Sequence, residues 1–247
     1  MGIQAPHPPL GQYYGAGKNR PEWVRGIFNR TAADYDRMEA AMAFGSGSRY
    51  RRTELLAAGL RPGMRVVDVG VGTGLVAREA AAIVGDPNLV TGVDPSTGMV
   101  ANAIVPAGVH MLAGMAESIP LPDASVDFLS MGYALRHISD LGAAYEEFSR
   151  VLRPGGLLCV LEITLPRGRL SKALLKGYIR GVGPLLARVV ARHKDTAELL
   201  RYYWDTIETC VAPEVVVQGV RQAGFAAVSH HVQLGIFSAY RARRRLD

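Results

Sequence analysis

Residues 65–94 constrain the fold of this chain more than any other stretch does. The β-branched run 65–69 is typical of a buried parallel strand, and residues 75–83 have the composition of a helix. A second strand-like run, 89–93, is followed at once by Asp94. This order predicts a strand–helix–strand unit whose second strand carries an acid at its carboxyl end.

The turn between the first strand and the helix is rich in glycine. Gly70, Gly72 and Gly74 have the spacing G-x-G-x-G, and Leu75 follows them. Glycine lets a bulky ligand contact the main chain, where a Cβ would hold it away. The carboxylate of Asp94 suits a ribose, because two vicinal hydroxyls can both donate to it. We therefore predict a nucleoside site, and a tight turn without a ligand is the alternative.

The glycine spacing separates two kinds of nucleoside site. A dinucleotide-binding turn has the pattern G-x-G-x-x-G/A, which this turn does not match. The closer spacing, preceded by Asp68, resembles motif I of the class I methyltransferases that use S-adenosylmethionine (SAM). The resemblance implies SAM as cofactor, S-adenosyl-L-homocysteine (SAH) as product and Asp94 as the acid that binds the ribose.

Composition excludes several classes of protein. A chain of 247 residues that is 49% hydrophobic predicts one α/β domain with a sizeable core. Cys159 and Cys210 have neither disulfide-framework nor zinc-ligand spacing, so we expect a reducing compartment and no metal site. No signal-peptide pattern or membrane-spanning apolar run is visible, and we expect a cytoplasmic protein. The net charge of +6 is concentrated locally and accompanies no nucleic-acid-binding module, so we expect no nucleic-acid partner.

The rest of the chain alternates between strand and helix patterns. Such alternation predicts a mostly parallel, doubly wound α/β sheet with helices on both faces. Residues 1–20 are rich in proline and glycine and are expected to form a loose arm, followed by a single domain over 21–247. Its aromatic-rich N-terminal helices either cover the ligand as a lid or pack on the sheet edge. Residues 170–210 form a predicted helical insertion after the fifth strand, and 227–242 a closing hairpin.

With these elements placed, residues 21–242 resemble the ubiquinone/menaquinone biosynthesis C-methyltransferases, the UbiE-type family. The segments that carry the resemblance are 24–28 with 33–36, 92–99, 116–120, 134–137, 151–156 and 223–225. It implies a Rossmann-like class I SAM methyltransferase fold with a seven-stranded sheet whose last strand is antiparallel. It also implies a small, lipophilic aromatic acceptor, quinol- or phenol-like, methylated at carbon.

The resemblance further implies a set of cofactor-binding residues. Tyr35 matches a tyrosine segment of the family and is expected to close over the methionine end of SAM, or else to pack in the core. Glu117 is expected to cap a turn near the adenine, with Ala116 presenting its main chain to the base. The full predicted set is Tyr35, Asp68, Gly70, Gly72, Thr73, Gly74, Asp94, Pro95, Met99, Met115, Ala116 and Glu117.

The chain departs from the family pattern at three places. Gly47 and Ser48 stand where the family usually has His-Arg, residues 134–137 replace Gly-x-Arg-Asn, and Met115 replaces a polar residue beside the adenine. Two of these places lie where the acceptor would sit. The alternatives are therefore an O- or C-methyltransferase acting on another phenolic or polyketide acceptor, and a SAM-binding protein without catalysis.

Two residues are predicted to perform the chemistry. Methylation of a ring carbon beside a phenolic hydroxyl needs a base for the hydroxyl and a cation for the phenolate. Arg136 and His137 follow the fourth strand, at the carboxyl edge where ligands bind in open α/β sheets. We predict that His137 is the base, directly or through water, and that Arg136 stabilises the oxyanion. The alternatives are a solvated histidine, and a salt bridge from Arg136 to Asp140 or Glu162.

The predicted insertion carries a basic stripe. Lys172, Lys176 and Arg180 recur at intervals of four residues, which places them on one face of a helix, and apolar residues lie nearby. Such a helix can rest transiently on anionic lipid. The alternative is a solvated face above a substrate pocket.

Overall fold

A seven-stranded β-sheet lies at the centre of the computed structural model, which describes residues 5–15 and 20–246. The strands are β1 (Val66–Val69), β2 (Val90–Asp94), β3 (His110–Ala113), β4 (Val126–Gly132), β5 (Leu152–Ile163), β6 (Phe225–Gln233) and β7 (Phe237–Arg244). Their order is β3-β2-β1-β4-β5-β7-β6. Strands β1 to β5 pair in parallel, whereas β7 is antiparallel to both β5 and β6. The predicted α/β fold, with its antiparallel last strand, is confirmed.

Helices cover both faces of the sheet. They are α1 (Gly11–Tyr14), α2 (Arg20–Met42), α3 (Gly47–Ala57), α4 (Leu75–Val84), α5 (Thr97–Ala101), α6 (Leu141–Val151), α7 (Arg169–Gly177), α8 (Gly183–Val190), α9 (Thr196–Thr209) and α10 (Pro213–Gln222). Side chains of α3 and α4 form one core cluster with the strands, and those of α6 and α10 form another. Because β1 is buried on both faces, its sequence is continuously apolar except at Asp68.

The sequence of α6 shows how these helices are specified. Its N-cap is Asp140, whose Oδ1 accepts a hydrogen bond of 3.1 Å from the main-chain N–H of Ala143. Leu141, Tyr145 and Phe148 recur at helical spacing and are fully buried against the sheet. The helix passes directly into β5 at Leu152.

The predicted insertion lies above the carboxyl edge of the sheet. Helices α7 and α8 are joined without a break by a π-helical segment, Tyr178–Val182, and α9 packs against them. The predicted basic stripe faces acids of α9: Lys172 and Lys176 lie 3.6 and 3.7 Å from Glu208. The third member, Arg180, lies 3.7 Å from Asp205. These three charges are therefore engaged within the protein, and contact of this helix with lipid stays a prediction.

Residues 5–15 lie within the segment predicted as a loose arm, but they are packed. Leu10 and Tyr14 are buried in a cluster with Ile27 of α2 and Leu199 of α9. The main-chain N–H of Val211 also donates to the carbonyl of Pro6 over 2.7 Å. Leu10 and Tyr14 pack in a groove between α2 and α9. The proline and glycine content of the segment does not indicate this packing. The rest of the predicted arm, 1–4 and 16–19, lies outside the described residues.

Over 5–15 and 20–246, the helices are either too short or too polar to cross a bilayer. The cytoplasmic location stays a prediction.

We predict that Leu10→Ala lowers the free energy of unfolding by about 2 kcal/mol, because it removes a buried side chain and leaves a cavity. Denaturant unfolding measures the difference. The matched control is Leu246→Ala, at a leucine that is exposed. Equal stability of the two variants would show that residues 5–15 do not dock in solution.

Candidate active site

A cavity of about 600 Å³ opens at the carboxyl edge of the sheet. Its walls come from the loops after β1, β2 and β4, from α2 and from the insertion. This volume is typical of a site for small ligands. The loop after β1 and the insertion thus line one continuous space.

The glycine-rich turn forms one wall of the cavity with bare main chain. Gly70 and Gly72 have φ angles of +68° and +56°, in the left-handed region that side chains rarely adopt. A Cβ at Gly70 would also lie 2.6 Å from the Cβ of Ala134. Glycine is therefore required at position 70 both by its backbone conformation and by the lack of space for a Cβ atom.

Asp94, at the end of β2, fastens this turn. Its Oδ2 accepts from the N–H of Gly72 and its Oδ1 from the N–H of Ser96, each over 2.8 Å. Burial raises the pKa of Asp94 above its ordinary value, and the two N–H donors oppose that shift. The side chain lines the cavity, and each oxygen keeps a lone pair for a ligand hydroxyl.

Asp68 and Gly74 are the two members of the predicted cofactor set that do not line the cavity. The Oδ1 atom of Asp68 accepts from the hydroxyl of Ser130 over 2.8 Å, inside the sheet. Burial raises the pKa of Asp68 to about 7. Gly74 is the N-cap of α4 and has a left-handed φ. The structure therefore places Asp68 inside the sheet and Gly74 at the end of the turn.

The other predicted cofactor residues all border the cavity. These are Tyr35, Gly70, Gly72, Thr73, Asp94, Pro95, Met99, Met115, Ala116 and Glu117. The hydroxyl of Thr73 donates to Asp36, which links the turn to α2. The Oε1 atom of Glu117 accepts from the N–H groups of Ser139 and Asp140, over 2.7 and 3.2 Å. The carboxylate thus holds the loop that leads into α6.

Arg136 lies in the short 3₁₀ turn after β4 and is buried at the cavity wall. Its guanidinium forms an ion pair with Glu162, at the end of β5, which was the alternative to a catalytic role. It also lies 4.9 Å from the ring centroid of Tyr203, within cation–π distance. Burial alone would lower the pKa of Arg136, but the charge of Glu162 raises it above the usual value. The residue is a permanent cation.

His137 lies in a cage of aromatic rings and borders the cavity. Its ring centroid is 5.1 Å from that of Phe28 and 5.8 Å from that of Tyr203. Its Nδ1 is 3.3 Å from the hydroxyl of Tyr202, whereas its Nε2 has no partner among the described residues. Burial and the charge of Arg136 lower the pKa of His137 well below its usual value. The imidazole is therefore neutral at pH 7.

Sequence reasoning missed part of this cavity. Phe28 was missed; it lies two helical turns before the predicted Tyr35 on α2, and that spacing was a usable signal for a shared face. Tyr203 comes from α9, and nothing local connects it with β4. Arg51 of α3 is also buried in the wall, paired with Glu39 of α2.

Comparisons with known proteins agree with this geometry. Residues 16–243 match the model of the ubiE/COQ5 methyltransferase family. The chain belongs to this family. It is 30% identical over 220 residues to the ubiquinone/menaquinone biosynthesis C-methyltransferase UbiE of Shewanella halifaxensis, covering 86% of each chain. The UbiE protein of Shewanella woodyi is 30% identical over 218 residues, which are 85% of this chain and 86% of that one.

Solved structures share the fold at lower identity. A SAM-dependent methyltransferase of Thermotoga maritima has a TM-score of 0.62 and 23% identity, over 90% of this chain and all of that one. Phosphoethanolamine N-methyltransferase 2 of Haemonchus contortus, in complex with SAM, has a TM-score of 0.61 and 18% identity, over 92% of this chain and 59% of that one.

The predicted family, the methyltransferase activity and the SAM cofactor are thus confirmed, and this removes the alternative of a SAM-binding protein without catalysis. The residues of this methyltransferase fit the cofactor. The turn offers main chain without Cβ atoms, and Asp94 offers a carboxylate at the cavity wall.

We predict that Asp94→Asn raises the Kd for SAH by tenfold to a hundredfold. Hydrogen bonds to a charged acceptor contribute about 1.5–3 kcal/mol, and the amide keeps only one acceptor oxygen. Isothermal calorimetry measures the affinity, and Asp86→Asn, at an exposed aspartate before β2, is the control. Unchanged affinity would mean that Asp94 does not bind the ribose.

A second prediction concerns Asp68 and pH. Its pKa is about 7 in the folded protein against 3.8 for the unfolded chain, so folded protein binds more protons between these values. Its contribution to stability is therefore complete below pH 3.8 and is lost as pH rises to about 7, by at most about 1.4 kcal/mol per pH unit. Wild type should lose stability relative to Asp68→Asn over this range.

Denaturant unfolding between pH 4 and 7 measures this difference. Asp127→Asn is the contrasting variant: hydrogen bonds from Arg65 outweigh burial and lower the pKa of Asp127, so its contribution is lost as pH falls. Parallel pH curves for wild type and Asp68→Asn would contradict the raised pKa.

Proposed function

We propose that this methyltransferase transfers a methyl group from SAM to a ring carbon of a small, lipophilic quinol- or phenol-like acceptor. The observation that carries the proposal is the continuous cavity, which joins the glycine-rich turn to the aromatic cage of His137. The relatives named as ubiquinone/menaquinone biosynthesis C-methyltransferases support the acceptor class.

SAM supplies an electrophilic methyl group on its sulfonium. The protein has to place an electron-rich ring against it, because methyl transfer depends mainly on positioning. Phe28, Tyr35 and Tyr203 border the acceptor half of the cavity and offer flat apolar surfaces to a flat ring. These rings favour an aromatic acceptor over a polar amine.

His137 acts as the base for the acceptor hydroxyl. Its neutral ring accepts the proton at Nε2, the atom that has no hydrogen-bond partner among the described residues. In the tautomer that this role requires, Nδ1–H donates to the hydroxyl of Tyr202. Removal of the hydroxyl proton moves electron density onto the ring carbon beside it.

Arg136 stabilises the negative charge that then develops on the acceptor oxygen. Its charge is permanent, and its Nε is buried without a protein partner among the described residues. The ion pair with Glu162 fixes the guanidinium at the cavity wall, so that little reorganisation is needed when charge develops.

A second candidate is methylation, at carbon or oxygen, of another phenolic or polyketide acceptor. The space beside Gly47 favours it. A Cβ at Gly47 would collide with Glu39 and with Arg51, so the ion pair of these two residues occupies room that a larger side chain would take. The acceptor pocket of this chain thus differs in shape and charge from one with histidine at that position.

The experiment that separates the candidates is mass spectrometry of reaction products. Purified protein is incubated with labelled SAM and a panel of demethyl-quinols, simple phenols and polyketide phenols. A carbon-methylated quinol supports the first candidate, and transfer only to the other phenols supports the second. A panel without any methylated aromatic would contradict both.

We predict that His137→Ala lowers kcat by about 10²- to 10⁴-fold, the usual contribution of a general base. The Kd for SAH should stay within about twofold, because His137 does not belong to the glycine-rich turn. Steady-state kinetics and calorimetry measure the two effects. The control is His231→Ala, at an exposed histidine of β6, and equal kcat values for the two variants would refute the assignment.

A further inference from the structure

Residues 169–190 form one continuous helix, composed of α7, the π-helical segment and α8; we call it the insertion helix. Its inner face borders the cavity through Leu175, Tyr178 and Ile179. The helix therefore separates the acceptor half of the cavity from solvent.

The outer face of the insertion helix carries large apolar side chains that are exposed. They are Leu170, Leu174, Val182, Leu185 and Val189, with Leu174 66% and Val189 84% exposed. Their intervals of four, eight, three and four residues are those of one helical stripe, with the wider π-helical turn inside the interval of eight. We call these five residues the apolar stripe.

The charged residues of the insertion helix and its flanking sequence are all basic. Between residues 163 and 194 the sequence has eight Lys and Arg residues and no Asp or Glu. Lys172, Lys176 and Arg180 face acids of α9, but Arg169 and Arg188 are exposed and lie within 4 Å of no carboxylate of the described residues. The free charges thus flank the apolar stripe.

Two further exposed apolar residues lie at or near the rim of the cavity. The ring of Phe44 stacks on that of Tyr178 at 6.5 Å between centroids, and it is 85% exposed. Leu234, in the turn between β6 and β7, borders the cavity and is 88% exposed. Exposed apolar side chains therefore occur at the cavity rim as well as on the insertion helix.

We propose that the outer face of the insertion helix docks on the surface of a bilayer that contains anionic lipid. An apolar stripe flanked by exposed basic residues such as Arg169 and Arg188 matches acyl chains bordered by negative headgroups. Docking would place the cavity rim against the lipid that holds a lipophilic acceptor. The docking is inferred only from the apolar stripe and the basic residues beside it. Entry of the acceptor from the lipid rests in addition on the proposed function.

The test is sedimentation of purified protein with vesicles of phosphatidylcholine alone or with about one third phosphatidylglycerol. We expect binding only to the anionic vesicles, weakened by high salt. The double variant Leu185→Glu, Val189→Glu should abolish binding. Removal of one charge in Arg188→Gln should weaken it about fivefold, as expected for one basic residue near an anionic surface.

The matched control is Leu246→Glu. Leu246 is also exposed, but it follows β7 at the sheet edge opposite the cavity, beside Gly155. Circular dichroism checks that each variant is folded. Failure of wild type to bind anionic vesicles would overturn the proposal, and so would equal loss of binding in Leu246→Glu. A dimer in sedimentation velocity that the double variant dissociates, without vesicle binding, would assign the stripe to a second copy instead.

Measuring methyl transfer to a water-soluble, short-chain acceptor tests the docking proposal separately from the proposed function. Leu185 and Val189 lie outside the cavity wall, so the double variant should keep wild-type turnover of this soluble acceptor. It should lose turnover of an acceptor that is embedded in anionic vesicles. Wild type that binds vesicles but methylates neither acceptor would contradict the proposed function alone.

Discussion

The carboxylate of Asp94 connects three elements on which the cofactor half of the site depends. It accepts from Gly72 in the turn after β1 and from Ser96 at the start of α5. The N–H groups of Gly70 and Val71 donate in turn to the carbonyl of Val93, over 2.8 and 3.1 Å. The bare main chain of the turn is therefore held at a fixed distance from the acid. A buried carboxylate is costly unless such donors satisfy it, so the site and the local fold need the same contacts.

A second buried charge, the guanidinium of Arg136, borders the half of the cavity in which we place the acceptor. Removing Arg136 and Glu162 from water carries a desolvation penalty that their attraction offsets only at close range. The pair nevertheless leaves a cation at the cavity wall, and burial together with that cation lowers the pKa of His137 and keeps it neutral. The same charge that makes His137 a weaker base also favours the phenolate it would produce. In the proposed mechanism the base and the cation therefore act as one unit, whose effects need not be additive.

The sequence predicted features that depend on local contacts, and it failed where partners lie far apart in the chain. Asp94 and the glycine-rich turn were predicted because a strand, a turn and the next strand end specify them together. Asp68 precedes the turn, yet strand alternation directs its side chain to Ser130 inside the sheet. Lys172 has the spacing of an exposed stripe, and only the packing of α9 shows that Glu208 faces it.

The two halves of the site have different structural origins, and this difference bears on how the acceptor is chosen. Short loops at the ends of strands hold the cofactor, so its position follows from the sheet. The acceptor half adds α2 and the insertion to the strand ends that carry Arg136 and Glu162, and one link between them is the bond of 3.2 Å from Arg20 of α2 to the carbonyl of Arg136. Changes in these helices can therefore reshape the acceptor pocket while the SAM site stays intact. A side chain at Gly47 would be one such change, because it would displace the carboxylate of Glu39 and the guanidinium of Arg51, which border the cavity.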